Sequence, residues 1–448
     1  MAKRKAQTDT IFALASGKGR AGVAVVRASG PAAGRAIEKI VKKSIHARVA
    51  EVADFHDPAT GELIDTGLVL WFPAPKSFTG EDVAEFHVHG SHAVLERLFG
   101  ALSSLDGFRL AEPGEFARRA FEHGKLDLTQ AEGLNDLVLA ETEAQRKQAL
   151  HQLGGGLSEL YKTWRARLAD CLADIEATID FSEEEIPEGL LKGVRASAQE
   201  LKTEIEKRLA DRGRGEAIRA GYRIAILGPA NAGKSSLLNA LAQEERAIVS
   251  DIAGTTRDVI EVQMDLGGYP VVFVDTAGLR EAADTIEREG VRRAIKQAEA
   301  ASLKLVLVEA ATWPDIPKET KAMIGKDSLV IVSKADLAKG LKKPGDAFPV
   351  SVKTGAGLQA LIDEIEARVV GALEATEPAG ITRARHREAL AECHEALARF
   401  LAHDLAATDP ALPAEDLRLA ARALGRVTGE VGVEDILERI FSRFCIGK

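Results

Sequence analysis

Three cysteines in 448 residues, Cys171, Cys393 and Cys445, are too few and too scattered for a disulfide framework or a zinc module, which suits a reducing compartment. No stretch of 18 apolar residues exists, so no membrane-spanning helix is expected. Nor does an apolar run follow the basic start MAKRKAQTDT, and a secretory leader is not expected. The chain therefore reads as cytoplasmic. Positive charge is also short. Against 68 Asp and Glu stand 59 Lys and Arg, and a formal charge of −9 argues against a large basic groove for nucleic acid, leaving any RNA contact to a local patch or a partner. Internal repeats are missing too. What is present is ordinary for a soluble globular protein: 46% hydrophobic and 28% charged residues, in a length that accommodates roughly two to four domains.

The first 120 or so residues alternate short apolar segments (AGVAVVRASG, TGLVLWFPAP, DVAEFHVHG) with turn residues, predicting an α+β domain with its own sheet. Beyond Leu126 the period changes. Leu150, Leu153, Leu157, Leu160, Trp164, Leu168, Cys171, Ile175 and Ile179 recur in steps of three and four, predicting one stripe of a long helix that Gly154 to Gly156 bend. A glycine-punctuated link is expected at Arg212 to Gly221, followed by a doubly wound α/β domain with strands at YRIAILG, VIEVQMDL, YPVVFVD, KLVLVEA, SLVIVS and AFPVSV. Helical periodicity resumes after about residue 376. The expected fold is multidomain: an α+β part at 1–123, a discontinuous α-helical bundle at 124–216 and 377–448, and an α/β phosphate-loop domain inserted at 217–376.

GPANAGKSS, Gly228 to Ser236, matches G-x-x-x-x-G-K-[ST] between a predicted strand and a predicted helix. Such a loop closes backbone amides around phosphate, with Asn231, Ala232, Gly233, Lys234, Ser235 and Ser236 as binding candidates; Lys234 reaches the β- and γ-phosphates as a catalytic cation, and Ser235 ligates Mg²⁺. Further stations follow at GTPase spacing. Around GTTRD lie Ser250, Asp251, Ile252, Ala253, Gly254, Thr255 and Thr256, with Thr256 a second Mg²⁺ ligand. DTAG supplies Asp275, Thr276, Ala277 and Gly278; SKAD supplies Lys334 and Asp336, the latter to accept from the guanine N1–H and 2-amino group; Ser351, Val352 and Lys353 form a fifth station. Any one tetrapeptide is a plain capped loop. Their order makes a GTPase.

With SFTGEDV (77–83), PGEF.RRAF (113–121), KLDL (125–128), DIAGTTRD (251–258), DTAGLR (275–280) and the closing FCIGK, the chain resembles the tRNA modification GTPase family called MnmE or TrmE along nearly its whole length. The resemblance implies a folate-binding and dimerising N-terminal domain, a split helical domain and a Ras-like GTPase domain. It implies GTP hydrolysis with a flavin-bearing MnmG-like partner in a heterotetramer, building a 5-carboxymethylaminomethyl or 5-aminomethyl group on wobble uridine 34 of tRNA from a tetrahydrofolate derivative (5,10-methylene- or 5-formyl-). Leu279 stands where Ras-type enzymes carry a water-orienting glutamine. The family instead uses K⁺, which implies a cage of Asn231, Ser250, Ile252 and Thr255, with Glu287 positioning water; read by itself, Glu287 is equally a solvated helix start. Arg27, Glu85, Lys125 and Lys448 match the folate contacts, and Cys445 is a candidate reactive thiol that by itself also reads as a small buried hydrophobe.

Gly447 and Lys448 do not suit prenylation of Cys445, which removes a Ras-like lipid anchor. Glu85, His87 and His89 share a strand face with His92 beyond, a metal-like cluster for which solvation is the simpler reading. The Glu183 to Glu185 run reads as a solvated helix end. Two departures stand out. Ser333 occupies the place of an asparagine, predicting weaker GTP binding, and Pro229 comes one residue early in the phosphate loop. A GTPase switch in ribosome assembly is the second reading, although no GXXG-centred basic module accompanies it.

Overall fold

The computed structural model describes residues 9–180, 189–248, 261–275, 301–338, 345–405 and 407–447. They pack as two compact units, Met1–Asn135 with Gln152–Val194 and Ala402–Lys448, and Asp136–His151 with Arg195–Leu401.

In the first unit, strands β1 (Thr10–Leu14), β2 (Ala21–Ser29), β3 (Glu51–His56), β4 (Leu63–Phe72), β5 (Val83–Gly90) and β6 (Phe108–Leu110) form one sheet in the order β3-β4-β5-β2-β1-β6. Period-two alternation sends Val26, Val69, Phe86 and Val88 to one face, where α1 (Ala33–Ile40) and α2 (His92–Ser103) cover them. Phe55 and Phe86 meet edge to face at 5.7 Å, and Phe12 meets Phe99 at 5.5 Å. The other face carries Arg27, Glu85 and His87, part-exposed and in register across β2 and β5. The loop between β5's start and β4's end is followed later by α3 (Glu115–Glu122), and α4 (Leu128–Val138) begins in the same unit.

The apolar stripe expected as one helix is two. Helix α5 (Glu143–Leu153) stops, Gly155 takes φ +90°, and α6 (Gly156–Asp180) starts afresh. Leu157, Trp164, Leu168, Cys171 and Ile175 are buried as expected, whereas Leu150 and Ile179 are exposed. After α7 (Leu190–Leu209), the expected link around residue 212 is in fact helical: α8 (Arg214–Ala220) stands between Gly213 and Gly221, and its Ile218 enters the second unit's core.

The second unit contains β7 (Tyr222–Leu227), α9 (Lys234–Ala242), β8 (Ala247–Ile248), β9 (Glu261–Leu266), β10 (Tyr269–Asp275), β11 (Leu303–Glu309), the single turn α10 (Lys318–Lys321), β12 (Ser328–Ser333), β13 (Phe348–Val350) and α11 (Leu358–Leu373). Its sheet runs β13-β12-β11-β7-β10-β9-β8, parallel from β13 to β10 and antiparallel at β9 and β8. The hairpin predicted across Gly267 and Gly268 forms, with both glycines at positive φ (61° and 83°), as a tight two-residue turn requires. On α11, Leu358, Leu361, Ile362, Ile365, Val369 and Leu373 fall on one helical face and are buried, each worth about 1.5–3 kcal/mol. Helices α12 (Ala384–Ala402), α13 (Ala411–Thr428) and α14 (Glu434–Phe441) complete the chain; α13 packs on α6 in the first unit. No described helix is long and apolar enough to cross a membrane.

Candidate functional sites: a nucleotide cradle and a sheet-face ion pair

Strand order reverses around β7, the switch point at which doubly wound sheets bind ligands beyond their carboxyl ends. The phosphate loop leaves β7 there. Gly228 has φ 146°, and a Cβ on it would sit 2.7 Å from the Leu307 carbonyl oxygen, so only glycine lets the loop pass. Asn231 turns at φ 62°, a conformation asparagine tolerates, and is exposed; Ala232 is buried beneath the loop. Gly233 (φ 92°) then caps α9, whose first amides carry the positive end of the helix dipole. Lys234 is buried, and its Nζ donates to the carbonyls of Gly228 (3.0 Å) and Pro229 (2.7 Å), which holds the ammonium folded over the loop. Ser235 and Ser236 are exposed on the first turn. An exposed serine hydroxyl beside a lysine and a helix N-terminus fits a Mg²⁺-bound triphosphate.

Beside the loop lies a cavity of about 450 Å³ that brings Gly233 and Ser236 together with Ser333, Lys334, Asp336, Val352 and Lys353, between apolar walls from Leu237, Leu307 and Ile331. Its floor is apolar because β11 and β12 are buried on both faces; its rim is polar because each strand ends there. Ser351, itself buried, donates its hydroxyl to Asp336 Oδ1 at 2.7 Å and fixes the carboxylate at the rim. Lys334, at φ 55°, pairs with Glu309 at 3.2 Å. Ser333 is 8% exposed, and its hydroxyl donates to the Val308 carbonyl at 3.4 Å. A planar base sandwiched by apolar walls and a carboxylate suits the shape and polarity of this cavity.

The second constellation sits on the open face of the first sheet. Arg27 Nε donates to Glu85 Oε1 at 2.8 Å, and the pair is mostly shielded, with 19% and 15% of the side chains exposed. His87 lies 3.3 Å from the other Glu85 oxygen. Two rings flank the Arg27 guanidinium, Phe78 at 5.4 Å and Phe116 at 5.9 Å. Lys125 is exposed and comes past Gly80, where an added Cβ would meet its Cε at 3.3 Å. Arg27, Glu85 and Lys125 are thus gathered around the 77–81 loop. The closing segment also packs in this unit: Gly447, at φ 96°, lies so near the Leu14 carbonyl that a Cβ would clash with it, and the Gly114 amide donates to the Cys445 carbonyl at 3.4 Å. Cys445 is exposed, so it is not the buried hydrophobe of the alternative reading. Cys393 is buried, and burial pushes its thiol up to about 12.

The histidines do not form a metal cluster. His89 binds Asp65 at 2.9 Å and His92 binds Glu96 at 3.5 Å, each separately from the His87–Glu85 contact, and no group of three metal-type ligands occurs among the described residues. Ser250, Asp251, Ile252, Ala253, Gly254, Thr255, Thr256, Thr276, Ala277, Gly278, Leu279, Glu287 and Lys448 lie outside the described residues, as does the Glu183 to Glu185 run; of Asp275 only the backbone, ending β10, is described. Sequence reasoning missed Phe78, Glu81, Phe116 and Arg119. All four lie within SFTGEDV and PGEF.RRAF, but no spacing in the sequence links the two segments.

Comparison with known proteins follows the same division. A family model described as "GTP-binding protein TrmE N-terminus" matches residues 10–125, and one described as "MnmE helical domain" matches residues 128–445. The tRNA modification GTPase MnmE of Parvibaculum lavamentivorans is 54% identical over 441 residues, covering 98% of this chain and 100% of that protein. Its counterpart from Paramagnetospirillum magneticum is 51% identical over 452 residues, with 98% and 100% covered. The mitochondrial 5-taurinomethyluridine-[tRNA] synthase subunit GTPB3 of Danio rerio is 45% identical over 469 residues, with 98% and 93% covered.

Proposed function

This chain belongs to the MnmE (TrmE) family of tRNA modification GTPases, and we propose that its hydrolysis of GTP, dependent on potassium, drives construction of a 5-carboxymethylaminomethyl or 5-aminomethyl group on uridine 34 of certain tRNAs. The one-carbon unit comes from a tetrahydrofolate derivative, 5,10-methylene or 5-formyl. The working assembly is a homodimer joined to an FAD-bearing MnmG-like protein as a heterotetramer in the cytoplasm, organised as the four segments 1–123, 124–216, 217–376 and 377–448. The observation that carries this reading is the convergence of Arg27, Glu85 and Lys125 around one loop, in a chain that also holds a phosphate cradle.

The residue types fit their tasks. A reduced pterin presents an amino group and ring N–H donors, which the Glu85 carboxylate accepts while Arg27 holds that side chain in place; the glutamate tail carries carboxylates, for which Lys125 and Lys448 are the cations. At the cradle, Lys234 exchanges the loop carbonyls for the β- and γ-phosphate oxygens, and Asp336, oriented by Ser351, reads guanine. Ser235 and Thr256 would hold Mg²⁺, which neutralises phosphate charge. Asn231, with oxygens of Ser250, Ile252 and Thr255, would hold K⁺, supplying positive charge near the β–γ bridge, and Glu287 orients the attacking water.

Nucleoside analysis of total tRNA from cells lacking the gene tests the reading. Wobble uridines without the aminomethyl-type substituents are expected; an unchanged modification profile overturns it.

A further inference from the structure

Arg119 has a side chain with 0% exposure and is ringed by acceptors. Its Nη1 donates to the Asp9 carbonyl (3.1 Å) and to both Glu81 oxygens (3.2 Å each), and its Nη2 donates to Asp9 Oδ1 (3.1 Å) and Glu115 Oε1 (2.9 Å). Burial raises the Glu115 carboxyl, but hydrogen bonds from Arg109, the Glu112 amide and Arg119 overcome this and hold it below the usual carboxylate range. Both terminal nitrogens are thus paired, as a buried guanidinium requires, while its buried Nε has no hydrogen-bond partner among the described residues. The question is what so costly a group holds in place.

Glu81 continues the network outward. Its Oε2 accepts from the Ser29 hydroxyl at 2.7 Å; Ser29 is buried on β2, two residues beyond Arg27, and its hydroxyl also shares a 2.7 Å hydrogen bond with buried Thr79. Ser77 donates to the Glu81 carbonyl, and the Thr79 carbonyl contacts His123 Nδ1 at 2.8 Å. Segment 77–81 is therefore clamped at both ends, with Phe78 between. Phe116 stands one turn before Arg119 on α3. Arg119 thus ties the loop bearing one aromatic wall to the helix bearing the other, and the Arg27 guanidinium lies between those walls.

We propose that Arg119, acting through Glu81, is the positioning residue of the reduced-folate site: it fixes Phe78 and Phe116 about Arg27 and so holds Glu85 aimed at the pterin. This rests on the folate reading above. A loop released from Arg119 moves Phe78 off the guanidinium, and Arg27 then no longer has one orientation from which to hold Glu85.

The test is calorimetric titration of the full-length protein with 5-formyltetrahydrofolate, below the thermal midpoint of each variant. Glu81→Gln leaves Arg119 its Asp9 and Glu115 partners, and is expected to weaken binding about tenfold with GTP turnover unchanged. Arg119→Lys, which keeps the charge but loses the fork, is expected to act in the same direction and stands in if Glu81→Gln misfolds. In a Phe78→Leu background the Glu81→Gln effect is expected to shrink to less than about threefold, since both act through one ring; a purely structural role predicts additive losses. Unchanged affinity in Glu81→Gln and Arg119→Lys, or full additivity with Phe78→Leu, overturns the inference. Failure of the unsubstituted protein to bind 5-formyltetrahydrofolate overturns instead the folate reading on which it stands.

Discussion

A single side chain distinguishes the base cavity from the pattern its motif sets. Ser333 lines the rim, and the hydrogen bond its hydroxyl makes among the described residues, to the Val308 carbonyl at 3.4 Å, is a long one. An asparagine is longer by one atom and brings both an amide donor and a carbonyl. Ser333→Asn is therefore expected to tighten GTP binding about three- to tenfold, the worth of one net hydrogen bond, in a titration with a fluorescent GTP analogue. Equal or weaker binding would show that the serine is already compensated. Lys334, Asp336 and Ser351 were legible in the sequence because each sits where a predicted parallel strand ends, and such sheets gather ligands at those ends. Arg119 and Glu81 were not. Their network joins positions 9, 29, 81, 115 and 119, separations with no period, and only the closed sheet brings them into range.

Among the elements, the strands form as the sequence predicts where turn chemistry and periodicity agree, as in the Gly267–Gly268 hairpin. The stripe from Leu150 to Ile179 reads as one bent helix because its spacing continues through Gly154 to Gly156. Spacing, however, carries no information about backbone sign. Gly155 adopts φ +90°, its amide donates to the Gln152 carbonyl at 3.0 Å, and its own carbonyl accepts from the Glu159 amide at 2.9 Å as α6 begins. That is a helix stop followed by a start, and it needs a residue free of the Cβ penalty. Gly155→Ala is expected to cost about 1–2 kcal/mol, lowering the calorimetric midpoint of the transition that includes the α6–α13 pair by a few degrees. A higher midpoint would mean that the break is unnecessary and that one continuous helix is the better packing. The opposite error occurred at α8. Seven residues between Gly213 and Gly221 give too few turns for a stripe to register, so a short helix passed for a link.

For the whole molecule the deciding demand is electrostatic. Phosphoryl transfer builds negative charge at the β–γ bridge, and the position after DTAG offers Leu279 in place of a water-orienting side chain. Lys234 supplies a cation from within the described phosphate loop, and its proposed place is at the phosphates' outer oxygens. Asn231 is exposed at the turn of the loop, with φ 62°. The other proposed cage residues, Ser250, Ile252 and Thr255, belong to a separate stretch of sequence, so the proposed cage draws on both stretches at once. The proposed homodimer is expected to complete the cage where its two GTPase domains meet. Two consequences follow together. GTP turnover should be on the order of 10²-fold faster in KCl than in NaCl at equal ionic strength, the scale of one lost transition-state contact, and Asn231→Ala should erase that difference. Turnover per molecule in KCl should also rise with protein concentration until domain pairing saturates. Equal rates in the two salts would remove Asn231 from its role, whereas potassium stimulation that ignores protein concentration would keep the cage and discard the pairing of two GTPase domains that is proposed to form it.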